Sequence, residues 1–398
     1  MHTDKEDDDA GQIYLGLCAE CAKDEELRNF VTRNCGLGIC GFCREQSPNI
    51  TTDEVSENLS GLLRALLRLH FDEYTYNPHW GGNDVQSLFK NENPILDHSR
   101  GIWDADEAWH FLAHHLTEPT YPGYDEGVCI YAGHHDGIRM LQFSLNNRSS
   151  DFSRELHTRL VRENHYDIVG DVLSWLQENG DRLERKLEKG CKFWRARNGY
   201  QSRFVNISDP FGDEEAHYKP YLGASVGAPP PNIVTAGRTN RPNVSHLYLA
   251  SDSETAVAEI RPHPGDHVSV GKFELLDDQA VIDFSAARIA EYSSSDKQLD
   301  LFHAVLDFEK ALSRPVNPNH QHLYSITQLL ADGVRQLGFE GIAFKSSVGS
   351  GENLCLFQPK SAGFQEAEAA VYRVTDLKYD LKSEPVLHGA GDGFREIK

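Results

Sequence analysis

The sequence predicts an α+β protein in three parts: a small cysteine-bearing module, a mainly helical region, and a C-terminal half of short strands with a few helices. Three observations predict it. Five of the eight cysteines fall between Cys18 and Cys43. Leucines then recur at helical spacing from Leu59 to Leu69. From Phe193 onward the texture changes to short apolar runs between glycines and prolines, the pattern of strands and turns. At 398 residues the chain has room for two or three domains, and its 39% apolar content excludes wholesale disorder.

Taken in order, residues 1–12 form an acidic tail and residues 13–47 carry the cysteine cluster. Residues 48–188 are the helical region, residues 189–376 the strand-rich unit, and residues 377–398 a polar tail. Cys18-x2-Cys21 and Cys40-x2-Cys43 lie eighteen residues apart, the spacing of a zinc ribbon. Each C-x2-C turn points two thiolates at one tetrahedral ion, and two turns complete its shell. With no open position, a Zn2+ held by Cys18, Cys21, Cys40 and Cys43 is structural. Cys35 is the spare, able to replace Cys40 only by breaking the paired spacing. An H-x-E ahead of a P-C-x-x-C, which a zinc deaminase needs, precedes neither pair.

Thr51-Thr52-Asp53-Glu54 is a capping-box pattern opening the leucine-rich helix. A second helix is expected over Asp106 to Leu116. Residues 117–137 read as a loop, and His134-His135-Asp136 within it as solvated. A third helix fits Val169 to Asn179, closed by Gly180. The charged run Asp181 to Lys189 reads as a solvated helix or linker, with a domain boundary near 185–190. Strands are expected at Leu247–Leu249, Val268–Leu276, Ala280–Phe284, Gly341–Phe344, Leu354–Phe357 and Ala370–Val374. Ser251-Asp252-Ser253-Glu254 is another capping box, and Pro262 ends the helix it opens. His320 to Leu337 is a helix ended by Gly338.

With 39 basic and 61 acidic side chains the net charge is −22. That balance argues against non-specific nucleic-acid binding, which rests on Lys and Arg neutralising phosphates. It leaves room for a small anion held by a few local arginines. No apolar run approaches the ~20 residues of a membrane span, so no membrane association is expected. The N-terminal MHTDKEDDDA lacks the apolar core of a secretory signal. A cytoplasmic protein is expected.

In the strand-rich unit, Phe193-Trp194-Arg195-Ala196-Arg197 sets two guanidinium groups beside two aromatics. Gly237-Arg238-Thr239-Asn240 adds an arginine at a turn. Planar guanidinium forks suit phosphate, and aromatics suit stacking on a heterocycle. Glu259 sits among Ala256, Val257, Ala258 and Ile260, where a buried carboxylate needs a partner. Arg261 is the nearest one for a purely structural ion pair. Phe344 to Asn353, which includes Ser346 and Ser347, joins two apolar strands and lacks the lysine pattern of a P-loop.

The succession FWRAR, LGASVGAPP, AGRTN, LYLASDSETAVAEIRP, VIDFS, GIAFKSS and NLCLF resembles the RES domain family, over roughly residues 190–375. The front half resembles the zinc-containing helical region of larger RES proteins. The resemblance implies a fold similar to ADP-ribosyltransferases and chemistry on NAD+, by toxins that destroy it or by ADP-ribosyl transfer. It implies Arg238, Glu259 and Ser346 as the catalytic set, and Arg195, Arg197, Asn240, Tyr248 and Ser347 as NAD+-binding residues. Glu259 is expected to stabilise an oxocarbenium ion, Tyr248 to stack on or pin the nicotinamide ribose, and Ser346 to orient NAD+. Many relatives carry Trp after the turn arginine, where this chain has Thr239. Water, inorganic phosphate or a macromolecule could accept the ADP-ribose, and an antitoxin or regulatory protein is the implied partner. Two other readings compete: a non-catalytic NAD+ sensor, and an RNA-acting nuclease using the R-x4–6-H spacing from Arg159 to His165.

Overall fold

The computed structural model describes residues 14–71, 74–75, 85–103, 107–116, 128–129, 144–205, 216–314 and 324–378. The acidic tail, the His134-His135-Asp136 loop and most of the polar C-terminal tail lie outside the described residues.

After the first cysteine pair, α1 (Glu25–Arg33) begins at Asp24, whose carboxylate accepts from the Leu27 amide. Acidic residues in its first turn and Arg33 in its last both suit the helix dipole. β1 (Cys35–Ile39) and β2 (Gln46–Thr51) form an antiparallel hairpin whose connection carries the second cysteine pair. α2 (Ser56–His70) buries Leu59, Leu62, Leu63, Leu66 and Leu67 on one face, as their spacing predicts. The capping box expected at Thr51–Glu54 does not form. Thr51 ends β2 with its hydroxyl accepting from the Leu17 amide, and Asp53–Val55 make a 3-10 turn.

β3 (Tyr74–Thr75), α3 (Val85–Lys90), α4 (Glu107–Leu116) and β4 (Val128–Cys129) follow, with β3 and β4 paired. The buried faces of α1, α2 and α4 share one apolar core with Phe42 and Phe89. Tyr292, Leu299 and Phe302, from far along the chain, join the same core.

α5 (Asp151–Leu160) and α6 (His165–Leu183) lead into the main sheet. Gly180 does not close α6. It lies in the packed face, where an added Cβ would sit 3.8 Å from Phe339 and 3.9 Å from Ile282. At that distance a Cβ would make ordinary van der Waals contact, so the glycine is an interior residue of the helix and not its terminator. β5 (Glu184–Leu187) starts directly after the helix and pairs with a later strand. The run Asp181–Lys189 is therefore the end of α6 plus a sheet edge, and the expected boundary near 185–190 lies between two strands of one sheet. Pairing overrode the charged composition, which an edge position tolerates.

The rest of the chain comprises β6 (Lys192–Asn198), β7 (Ser202–Val205), β8 (Ala216–Lys219), β9 (Leu247–Ala250), α7 (Ser253–Glu259), β10 (His267–Leu275) and β11 (Gln279–Asp283). It continues with α8 (Asp296–Ser313), α9 (Ser325–Gln336), β12 (Gly341–Lys345), β13 (Glu352–Leu356) and β14 (Ala362–Arg373). Eight strands make one sheet in the order β14-β10-β6-β9-β13-β12-β11-β5, with only β11 and β12 parallel. Strand alternation sorts the side chains. Tyr248, Ile282, Ile342, Phe344 and Cys355 pack with α5, α6, α8 and α9. Leu247, Leu249, Val281, Ala343, Leu354 and Leu356 build a core on the opposite face.

The sheet forks at its centre. β6 and β9 meet at a single register pair, Trp194 with Ala250. A gap opens beside that point, between α7 and the helices covering the other half of the sheet.

Candidate active site and candidate metal centre

A cavity of about 590 Å³ occupies the fork, within the roughly 300–1,000 Å³ common for small-molecule sites. Its wall takes Trp194, Arg195 and Ala196 from β6 and Tyr248, Leu249 and Ala250 from β9. The end of α7 supplies Glu259, Ile260 and Arg261. Ala256, the turn residues Ala236, Gly237 and Arg238, and Tyr324, Phe344 and Asn353 complete it. Three arginines face one carboxylate, so the cavity is locally cationic in a strongly acidic protein.

Glu259 is the last residue of α7. The helix is fixed at its other end by Asp252, whose carboxylate accepts from the Thr255 amide at 2.7 Å. The cap is thus one residue later than the capping box suggests. Glu259 Oε1 accepts from Ser346 Oγ at 2.7 Å and from Asn353 Nδ2 at 2.6 Å. Ser346 Oγ in turn accepts from the amides of Val348 and Gly349, which orients its hydroxyl proton toward Glu259. Glu259 Oε2 has no partner among the described residues. The structural ion pair with Arg261 does not form, and both groups are left at the cavity. Ser346, expected to orient NAD+, instead holds the carboxylate and does not line the cavity.

Arg195 bridges the fork. Its Nε donates to Val226 O at 2.8 Å and its Nη1 to Tyr248 O at 2.7 Å, replacing ladder bonds that β6 and β9 do not make. Burial holds its pKa below the ordinary guanidinium value. No carboxylate pairs with it among the described residues.

Arg238 donates through Nη1 to the carbonyls of Leu312 and Arg314 at the C-terminus of α8, where the helix dipole favours a cation. Its guanidinium lies 5.8 Å from the Tyr324 ring centroid and 5.6 Å from that of Phe344.

Tyr248 holds the arginine turn in place. Its hydroxyl donates to Asn240 Oδ1 at 2.8 Å and accepts from the Thr239 amide at 3.0 Å. Burial drives its pKa up. With the hydroxyl committed to the turn, Tyr248 offers the cavity its ring rather than a polar handle for the nicotinamide ribose. Asn240, expected at NAD+, is buried; its amide donates to Thr235 O and Arg241 O and fixes the turn. Gly237 is required there, since a Cβ would lie 2.2 Å from Asn240 Oδ1. Thr239 is also buried, its hydroxyl between Tyr248 and the Cys355 thiol. It is therefore part of the support beneath the cavity and not its wall.

Two expected residues stand apart. Arg197, two residues and roughly 6.6 Å along the strand from Arg195, lies under the Tyr221 ring and donates to Ser225 O. Ser347 is outside the cavity wall, with its Oγ buried and unpartnered among the described residues. Conversely, Asn353, Tyr324 and Phe344 escaped the sequence reading as site residues. Asn353 had a signal, being the one polar residue in the apolar run NLCLF.

The four cysteines Cys18, Cys21, Cys40 and Cys43 converge, all buried, with their sulfurs within 4.8 Å of one another. Cys18 Sγ and Cys43 Sγ are 3.7 Å apart. Four thiolates at about 2.3 Å from a tetrahedral zinc stand about 3.8 Å apart, so the donor set fits that ion. Cys35 lies apart, its thiol directed at Thr32 O and Asn49. Arg159 and His165 are at the surface of α5 and α6. Arg159 is paired with Glu163 and Asp171.

No helix among the described residues is long and apolar enough to cross a membrane. No curated protein matches the chain. Among solved structures, a chain of the M. tuberculosis MbcT-MbcA toxin-antitoxin complex aligns at 12% identity and a TM-score of 0.28, covering 51% of this chain and 92% of that one. The family profile described as RES domain matches residues 192–382, a span holding the fork and every residue of the cavity wall. This C-terminal part of the chain is a RES domain, preceded by a four-cysteine module that fits a zinc ribbon and by helices.

Proposed function

We propose that this protein consumes NAD+ by breaking the bond between nicotinamide and ribose. The observation carrying the proposal is the state of Glu259. One carboxylate oxygen is fixed by two donors and the other is unpartnered among the described residues, at the wall of a cavity rich in arginine. In the reaction the C1′–N bond breaks and its electron pair leaves with neutral nicotinamide. A positive charge develops on the ribose, and Glu259 stabilises it while accepting a hydrogen bond from a ribose hydroxyl. Water then adds at C1′ and releases a proton, giving ADP-ribose; with phosphate as acceptor the product is a phosphorylated ADP-ribose. Tyr324, Phe344 and Trp194 supply aromatic surface for the bases. Arg195 and Arg238 add positive charge, with some of their donors, Nε and Nη1 of Arg195 and Nη1 of Arg238, committed to backbone carbonyls. The RES family supports NAD+ as substrate and a toxin role, with an antitoxin as the restraining partner. The four-cysteine group would hold a structural Zn2+.

The test is to incubate the purified protein with NAD+, with and without phosphate, and separate the products. Nicotinamide with ADP-ribose identifies a glycohydrolase; a phosphate-dependent phosphorylated product identifies a phosphorylase. Glu259→Gln should keep the fold and lower turnover by roughly 10²- to 10³-fold. A folded Glu259→Gln variant with full activity overturns the assignment.

A further inference from the structure

We infer that Arg261 is the residue that grips the anionic pyrophosphate of the substrate and sets the preference for a dinucleotide. The inference rests on the NAD+ reading above and adds to it a substrate-holding side chain. Arg261 lies in the cavity wall two residues after Glu259. Unlike Arg195 and Arg238, its guanidinium makes no hydrogen bond or ion pair among the described residues. Its five donors are thus available, in the planar fork that matches phosphate oxygens.

The backbone points the same way. α7 ends with Ile260 as C-cap, and Arg261 follows with φ at 49°. This is the left-handed position after a helix, where glycine is the ordinary choice and Pro262 commonly follows. A residue with a Cβ is disfavoured in that conformation, and such residues gather at ligand clamps. An arginine where glycine would be easier puts a cation at the rim of the site, next to the carboxylate that acts on the ribose. The spacing suits a substrate whose reacting ribose and pyrophosphate are neighbours.

The Arg261→Gly variant separates this role from a structural one, because glycine relieves the backbone and should leave the melting temperature equal or higher. Its expected signature is a KM for NAD+ raised roughly 10- to 100-fold, the loss expected for one charge-assisted contact, with kcat changed far less. Arg261→Lys should fall between, keeping the charge without the fork. Binding of inorganic pyrophosphate, followed by calorimetry, should weaken in parallel. If the wild type cleaves NAD+ and Arg261→Gly matches it in KM and pyrophosphate affinity, the role of Arg261 is overturned and the NAD+ reading stands. If the wild type neither cleaves nor binds NAD+, both readings fall together.

Discussion

Glu259 is held by two neighbours, and the proposed mechanism has them act through it. Ser346 and Asn353 both donate to Oε1, and hydrogen bonds to a charged group are worth about 1.5–3 kcal/mol each. Ser346→Ala and Asn353→Ala should therefore each lower kcat by roughly 10- to 100-fold with KM nearly constant. The double variant should lose less than the product of the two, because both changes free the same oxygen. Steady-state kinetics on the three variants checks this. A rise in KM without a fall in kcat for Ser346→Ala would instead put that hydroxyl on the substrate. Serine in this role was not readable from sequence, where the loop after Phe344 shows only its turn-forming composition. The direction of its hydroxyl is set by the amides of Val348 and Gly349, which become neighbours only once the loop closes.

At the scale of elements, periodic apolar patterns were legible and junctions were not. The leucine face of α2 and the alternation through β12 and β13 follow directly from side-chain spacing. α8 went unread because it buries Leu299, Phe302, His303, Ala304, Val305, Phe308 and Leu312, too wide an arc for a clear stripe. Ser295, which caps it, was the available signal. The fork between β6 and β9 is a pairing property of strands far apart in sequence, so no local pattern reveals it. The turn bearing Arg238 is under such non-local control, because Tyr248 on β9 and Thr327 and Gln328 on α9 all hydrogen-bond to it. Tyr248→Phe leaves the Thr239 amide and Asn240 Oδ1 short of a partner and should cost about 1–3 kcal/mol. Chemical denaturation measures that loss, and turnover should fall with it as Arg238 loses its fixed position. Unchanged stability in Tyr248→Phe would mean the turn is held by Asn240 together with α9, where Thr327 donates to Arg238 O and Gln328 to Gly237 O and Asn240 O.

At the scale of the whole molecule, the cysteine module and the candidate active-site cavity are joined by α8. Near its start, Leu299 and Phe302 sit in the core that contains Cys18, Cys21, Cys40 and Cys43. At its other end, the carbonyl of Leu312 accepts from Arg238. Against that same core, beside Phe111, packs His115, whose ring lies between Ser60 and Leu15 O. Burial keeps His115 neutral, with its pKa lowered to about 4. An unfolded histidine titrates near 6.5, so the unfolded state takes up the proton first as pH falls. The stability held above pH ~6.5 is therefore lost progressively toward pH ~4, by about 3 kcal/mol for this residue. His246, beneath the cavity, is lowered to about 4 by burial as well and steepens the loss. Denaturation midpoints measured between neutral and acidic pH should fall across that window; a flat profile would mean both rings are solvated. Removal of the proposed structural zinc would act on the same core. Binding energy at a structural site of four thiolates is folding energy, so chelating zinc, or Cys40→Ser, should lower the melting temperature on the order of 10 °C. Because α8 carries the disturbance to Arg238, the KM for NAD+ should rise in step with the lost stability. A chelated protein that melts earlier yet cleaves NAD+ with unchanged KM would show that α8 keeps its C-terminal turn fixed from the sheet side alone, through Phe308 and Leu312 packed against α9 and β12.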